Sequence, residues 1–194
     1  MKDIFQKIRQ TIMDDSMNRP MKKAGYEPLY TAGPKAKIVI IGQAPGLQAQ
    51  LSKTAWHDAS GITLRKWLGV TEKQFYNPNV ISLLPMDFYY PGKAEHGDLP
   101  PRKGFAQKWH SLLLEQMPKI KLFILIGLYA QKHYLAKNFK TNLTQTVHAY
   151  QDYLPLYFPL VHPSPLNFRW QAKNPWFAKK VVPELTRIVA QVLG

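Results

Sequence analysis

No cysteine occurs in the 194 residues. That absence excludes disulfides, thiolate-bound zinc, cysteine-held iron–sulphur clusters and a cysteine nucleophile. Long apolar runs are missing as well, and none approaches the roughly 20 residues that a membrane span needs. The opening MKDIFQKIRQTIMDD is charged throughout and lacks the apolar core of a signal peptide. A soluble protein with no membrane partner is expected, cytoplasmic and, in the bacterial manner, nucleoid-associated. Acidic residues are scarce: 12 Asp and Glu stand against 26 Lys and Arg, a formal charge of +14. Such an excess favours a polyanionic partner, because basic contacts to phosphates release condensed counterions. A generally basic, soluble surface is the plainer alternative. Repeats, low-complexity tracts and interdomain linkers are also absent. With 45% hydrophobic residues the chain suffices for one well-buried core, so a single domain over residues 1–194 is expected.

What is present is a regular alternation. Short apolar runs at 37–41, 79–84, 121–126 and 156–161 have the length of strands. The first and third are nearly continuous aliphatics, as in parallel strands covered on both faces. Helical spacing lies between them: Ile4, Ile8 and Ile12; Phe105, Trp109, Leu112 and Gln116 or Met117; residues 128–135; and Val181, Leu185, Ile188 and Val192. Strands alternating with helices imply an α/β fold, a central parallel sheet between two helical layers. In such sheets ligands bind at the carboxyl ends of the strands. Three strands end in unusual sequences there: GQAPG (42–46), LPMDFYYPG (84–92) and HPSPLNFRW (162–170). The stretch 85–101 is too long for a mere link, and long loops tend to carry function.

GQAPG lacks the spacing of a dinucleotide fingerprint or a P-loop, so a nucleotide-phosphate cradle is not supported. Its glycines allow close backbone approach of a ligand, or simply a tight turn. In HPSPLNFRW two prolines hold His162 and Ser164 rigidly at a strand end, and Leu166, Phe168, Arg169 and Trp170 follow in a loop.

Together, GQAPG and HPSPL resemble the two signature loops of the uracil-DNA glycosylase superfamily, whose best-known branch carries G-Q-D-P-Y and H-P-S-P-L. NVISLLP (79–85) resembles the family's second strand, opening with Asn79 where the family has an asparagine that reads uracil. LFILIGLYAQKHY (122–134) resembles its third strand and following helix. AWHDASG (55–61) stands where the iron–sulphur branch has P-F-V-G-x-A-G, which puts Trp56 at the base-stacking aromatic. The resemblance runs from Ile38 to Trp170. It implies a three-layer α/β/α sandwich with a mainly parallel four-stranded sheet. It also implies a monomeric DNA repair glycosylase of base excision repair that hydrolyses the N-glycosidic bond of uracil or a related deaminated base. No lysine is placed as a nucleophile, so monofunctional hydrolysis leaving an abasic site is expected, with no cofactor and no metal.

The implied roles agree with the chemistry. An enzyme acting on a base in DNA must flip it out, stack it and read its edge. Gly42, Gln43 and Ala44 would supply backbone to the base, Trp56 its stacking face and Asn79 the amide for its edge. His162 would stabilise the negative charge left on the departing uracil, as an oxyanion hole does. Leu166 would fill the vacated stack. Ser164, Pro165, Arg169, Lys132 and Lys173 would meet the phosphate backbone. The departures are as informative. Ala44 replaces the aspartate that handles water in the best-known branch, and Gln43 can orient water without serving as a general base. Asp58 is the favoured substitute, with Asp87 and His57 as the other candidates. Gly46 replaces the tyrosine that excludes thymine, which implies a wider site. A catalytically weak or inactive relative that binds damaged or single-stranded DNA is the rival reading, and a small-molecule hydrolase on the same scaffold a more distant one.

Overall fold

The computed structural model of the chain describes residues 2–194, with backbone alone for residues 2 and 3. In chain order, helices α1 (Lys2–Asp14) and α2 (Arg19–Lys23) precede strand β1 (Ile38–Ile41). Helices α3 (Leu47–Ser52), α4 (Ala59–Leu68) and α5 (Glu72–Phe75) lead to β2 (Ile81–Leu83), and α6 (Phe105–Leu114) to β3 (Leu122–Ile126). Then come α7 (Gly127–Leu135), α8 (Leu143–His148), β4 (Tyr157–Leu160), α9 (Phe168–Lys173) and α10 (Val182–Leu193).

The four strands form one parallel sheet in the order β2-β1-β3-β4, with Ile38 level with Ile81 and Leu122, and Phe123 level with Tyr157. Alternate side chains of β1 point into two separate cores, as the pleat requires. Ile38 and Ile40 pack with Leu64 and Trp67 of α4 and with Leu185 and Val189 of α10. Val39 and Ile41 pack with Ile12 of α1, Phe105 and Trp109 of α6, and Ala130 of α7. These are the two helical layers of an α/β/α sandwich, the fold class implied above. With both faces covered, the sheet residues need no polar alternation, which is why the strands read as aliphatic runs.

Some local expectations shift. Leu112 lies outside, 40% exposed, and Leu113 replaces it on the inner stripe of α6, four residues after Trp109. The loop after β2 is half core: Phe88 and Tyr89 are buried, and the Asp87 carboxylate is clamped by Arg102. Arg102 Nε and Nη2 donate to its two oxygens at 2.7 and 2.8 Å, and the Tyr89 and Arg102 amides at 3.1 and 3.2 Å. The same guanidinium reaches Met17 O and Asn18 Oδ1, pinning this loop to the amino-terminal segment.

Candidate active site

Where β1 ends, the main chain keeps pairing for a few residues beyond β2. Leu84 N donates to Ile40 O, Met86 N to Gly42 O at 2.8 Å, and Asp87 N to Gln43 O at 3.1 Å. The GQAPG turn is thereby held against the Leu84–Asp87 segment as the floor of a cleft. From behind, buried His110 fixes the same segment: its Nε2 lies 3.0 Å from Pro85 O and its Nδ1 2.6 Å from Tyr134 Oη. A carbonyl can only accept, so Nε2 carries the proton and Nδ1 accepts from the tyrosine. Burial pushes the His110 pKa down to about 4, which keeps the ring neutral.

Trp56 closes the cleft over Gly42. A Cβ on Gly42 would stand 3.2 Å from Trp56 Cζ2, so only glycine lets the indole lie this close without displacing it. The tryptophan adopts a left-handed backbone with φ of 57°, a conformation uncommon for a bulky residue and maintained only when its surroundings dictate it. They do. Trp56 O accepts from Tyr76 Oη at 3.0 Å and Arg65 Nη1 at 3.1 Å, and Ala55 O also accepts from Tyr76. Gly61 makes room, since a Cβ there would meet Trp56 O at 1.7 Å. Asp58 caps α4 by accepting from Gly61 N through Oδ1. The cap settles the loop and leaves Oδ2 for other chemistry.

The third wall is His162, carried beyond β4 and fixed by Asn167 Nδ2 donating to its carbonyl at 2.6 Å. Its ring lies 5.5 Å from the Trp56 ring, centroid to centroid, at an interplanar angle of 30°. Although open to solvent at the mouth, the imidazole is crowded by protein, and this desolvation lowers its pKa; Asp58 pulls the other way. Around neutral pH His162 is therefore uncharged and presents one N–H donor.

Gly42, Ala44, Trp56, Asp58, Pro85 and His162 line this cleft of about 500 Å³, together with His57. Seven residues singled out in the sequence thus converge: Gly42, Ala44, Gly46, Trp56, His57, Asp58 and His162. Gln43 turns instead to a second cavity of about 290 Å³ that shares His162 as a wall. Its Nε2 donates to Leu99 O at 3.0 Å, so Oε1 is the part of the amide left to orient a water.

Asn79 is displaced. It is exposed and precedes β2, whose start pairs with the start of β1, and it does not line the cleft. Six residues of extended chain separate it from Pro85, about 20 Å. The base-reading role implied for Asn79 is therefore incompatible with this fold. Asp87 is likewise ruled out as a free base by its clamp on Arg102.

Ser164 Oγ accepts from Leu166 N at 3.2 Å and braces the turn, while Pro165, Leu166 and Arg169 are exposed beside the cleft. Lys132 lies in the second turn of α7 with its ammonium 5.8 Å from the centre of the Phe139 ring. Sequence reasoning missed Gly61, Arg65 and Tyr76, the supports of Trp56, and His110 behind Pro85. Only Gly61, within the quoted AWHDASG, left a signal.

Among the described residues no group of three or more His, Asp or Glu could hold a metal ion, and no helix is long and apolar enough to cross a membrane. The family model of the uracil DNA glycosylase superfamily matches residues 30–186. The chain belongs to this superfamily. That span takes in the cleft residues from Gly42 to His162. Among solved structures, the solution NMR structure of a candidate uracil DNA glycosylase from Methanosarcina acetivorans is similar at 13% identity and a TM-score of 0.48, over 84% of this chain and 94% of that one. At that distance the likeness bears on neither mechanism nor substrate.

Proposed function

We propose that the protein is a monofunctional DNA glycosylase that hydrolyses the N-glycosidic bond of uracil or a related deaminated base and leaves an abasic site. The observation that carries this reading is the convergence of His162, Trp56 and Asp58 on one cleft floored by Gly42 and Ala44. A flipped base would enter the cleft and lie against the indole. Breaking the glycosidic bond leaves negative charge on the base, and the neutral His162 N–H would stabilise it. Asp58, through the oxygen not used in capping, would take a proton from the attacking water, the task left vacant at Ala44. Leu166 would occupy the gap in the stack, with Ser164, Arg169 and Lys173 toward the backbone phosphates and Lys132 further out.

With Asn79 before the opposite end of β2, the carboxyl end of that strand brings Leu83 and Pro85 to the site and no side-chain amide. Discrimination among bases would then rest on main-chain groups and on the shape of a pocket widened at Gly46. The substrate range is accordingly expected to include hypoxanthine or xanthine beside uracil. The test is an abasic-site assay on oligonucleotides carrying each base. Wild type yields abasic product, His162→Ala reduces the rate about 10²- to 10³-fold, and Asp58→Asn about 10²- to 10⁴-fold. One observation favours the rival, a damage-binding relative without catalysis: the turn after β1 brings no carboxylate to the site, with Ala44 in the cleft wall and the Gln43 amide donating to Leu99 O. Tight binding with no product at stoichiometric protein would select it.

A further inference from the structure

The turn after His162 displays two large apolar side chains to solvent, Leu166 at 84% and Phe168 at 61% exposure. Single exposed hydrophobics are ordinary on any surface. These two differ in standing on a braced backbone. Asn167 N donates to Ser164 O at 3.0 Å, Ser164 Oγ holds Leu166 N, and Asn167 Nδ2 ties the turn to the His162 carbonyl. Two residues beyond Phe168, Trp170 Nε1 donates to Thr144 Oγ1 at 2.9 Å and anchors the other side to α8. The Arg169 guanidinium lies 5.6 Å from the centre of the Phe168 ring, and Lys173 is exposed on the same short helix. Ring and guanidinium thus sit together, flanked in sequence by Asn167 and Trp170 of the smaller cavity that shares His162 with the cleft, a pairing that suits a base and its phosphate. Leu166 accounts for the gap left by one extruded base. Phe168 is not needed for that.

We propose that Phe168 is a stacking platform for an unpaired nucleobase next to the nucleotide in the cleft, and that single-stranded or locally opened DNA is therefore bound in preference to intact duplex. This rests on the reading of the cleft as a DNA site. In a duplex the base beside the extruded nucleotide is covered on its far face by its own neighbour and on its near face by Leu166, so the ring finds a face only where the strand is open. Stacking on an aromatic side chain tolerates any base, because every base has a π-face.

The test uses an oligonucleotide with a 2′-fluorinated deoxyuridine, which resists glycosidic cleavage, flanked by 2-aminopurine, either single-stranded or annealed to its complement. Wild type is expected to bind the single strand more tightly and to quench the 2-aminopurine emission. Phe168→Ala should weaken single-strand binding about tenfold, the middle of the range for base–aromatic stacking, and relieve the quenching, with the duplex little affected. Phe168→Tyr should restore both. Equal affinity of wild type for the two forms, or unchanged affinity and emission in Phe168→Ala, overturns the proposal. Neither readout needs cleavage, and the same oligonucleotides with ordinary uracil report abasic product. A protein that cleaves but is indifferent to Phe168 loses this inference alone; one that stacks through Phe168 and cleaves nothing loses the catalytic reading alone.

Discussion

At the scale of single residues, the environment of His162 carries most of the chemistry. Desolvation lowers its pKa and Asp58 opposes that shift. Removing the Asp58 charge should therefore move the His162 titration further down. An NMR titration of the imidazole is expected to show a midpoint below the ordinary histidine value near 6.5 in the wild type, and a lower one still in Asp58→Asn. A midpoint unchanged by Asp58→Asn would mean that the carboxylate does not face the ring. Gly61 makes a second residue-scale prediction. A methyl group there overlaps Trp56 O, so Gly61→Ala should cost about 1–3 kcal/mol of stability by overpacking. It should also impair any ligand that stacks on Trp56, measured by denaturant unfolding and by binding. Two supports of the tryptophan, Arg65 and Tyr76, were hard to find in the sequence because they act on main-chain carbonyls. A carbonyl leaves no trace in residue type.

At the scale of elements, the strands were the most legible part of the chain, and one of them misled. The run 79–84 promised a strand opening on Asn79, but β2 begins at Ile81 and its opening end faces away from the cleft. Parallel sheets bind ligands at their carboxyl ends, and a residue at a strand's start lies at the other end. The loop after β2 shows the reverse. Read as an open functional segment, it places Phe88 and Tyr89 in the core, because aromatic residues in an irregular stretch carry no periodicity to announce burial. His110 of α6 backs this segment, and its neutral ring has a thermodynamic consequence. The native pKa of about 4 lies below the ordinary value near 6.5. Between those values the unfolded chain binds a proton that the native state refuses. The contribution is therefore complete above about pH 6.5 and is lost as the pH falls toward 4, about 3 kcal/mol in full. Urea unfolding at neutral and mildly acidic pH should show this loss, and His110→Gln should flatten it. An acid limb as steep in the variant as in the wild type would count against a buried, neutral His110.

At the scale of the whole molecule, the formal charge of +14 and the cleft at the carboxyl rim of the sheet point the same way. The charge was legible at once, since it requires only counting; that Gly42, Trp56, Asp58 and His162 share one cavity is a property of the folded chain, reached in the sequence only through the order and spacing of GQAPG, AWHDASG and HPSPL. The central claim is that this cavity hydrolyses a glycosidic bond. The most direct measurement is abasic-site formation from single- and double-stranded oligonucleotides carrying uracil, hypoxanthine or xanthine, with His162→Ala and Asp58→Asn in parallel. The account predicts alkali-labile product from the wild type that falls by at least about a hundredfold in each variant. Product from no substrate at stoichiometric, DNA-binding protein, or product undiminished in His162→Ala, would contradict it.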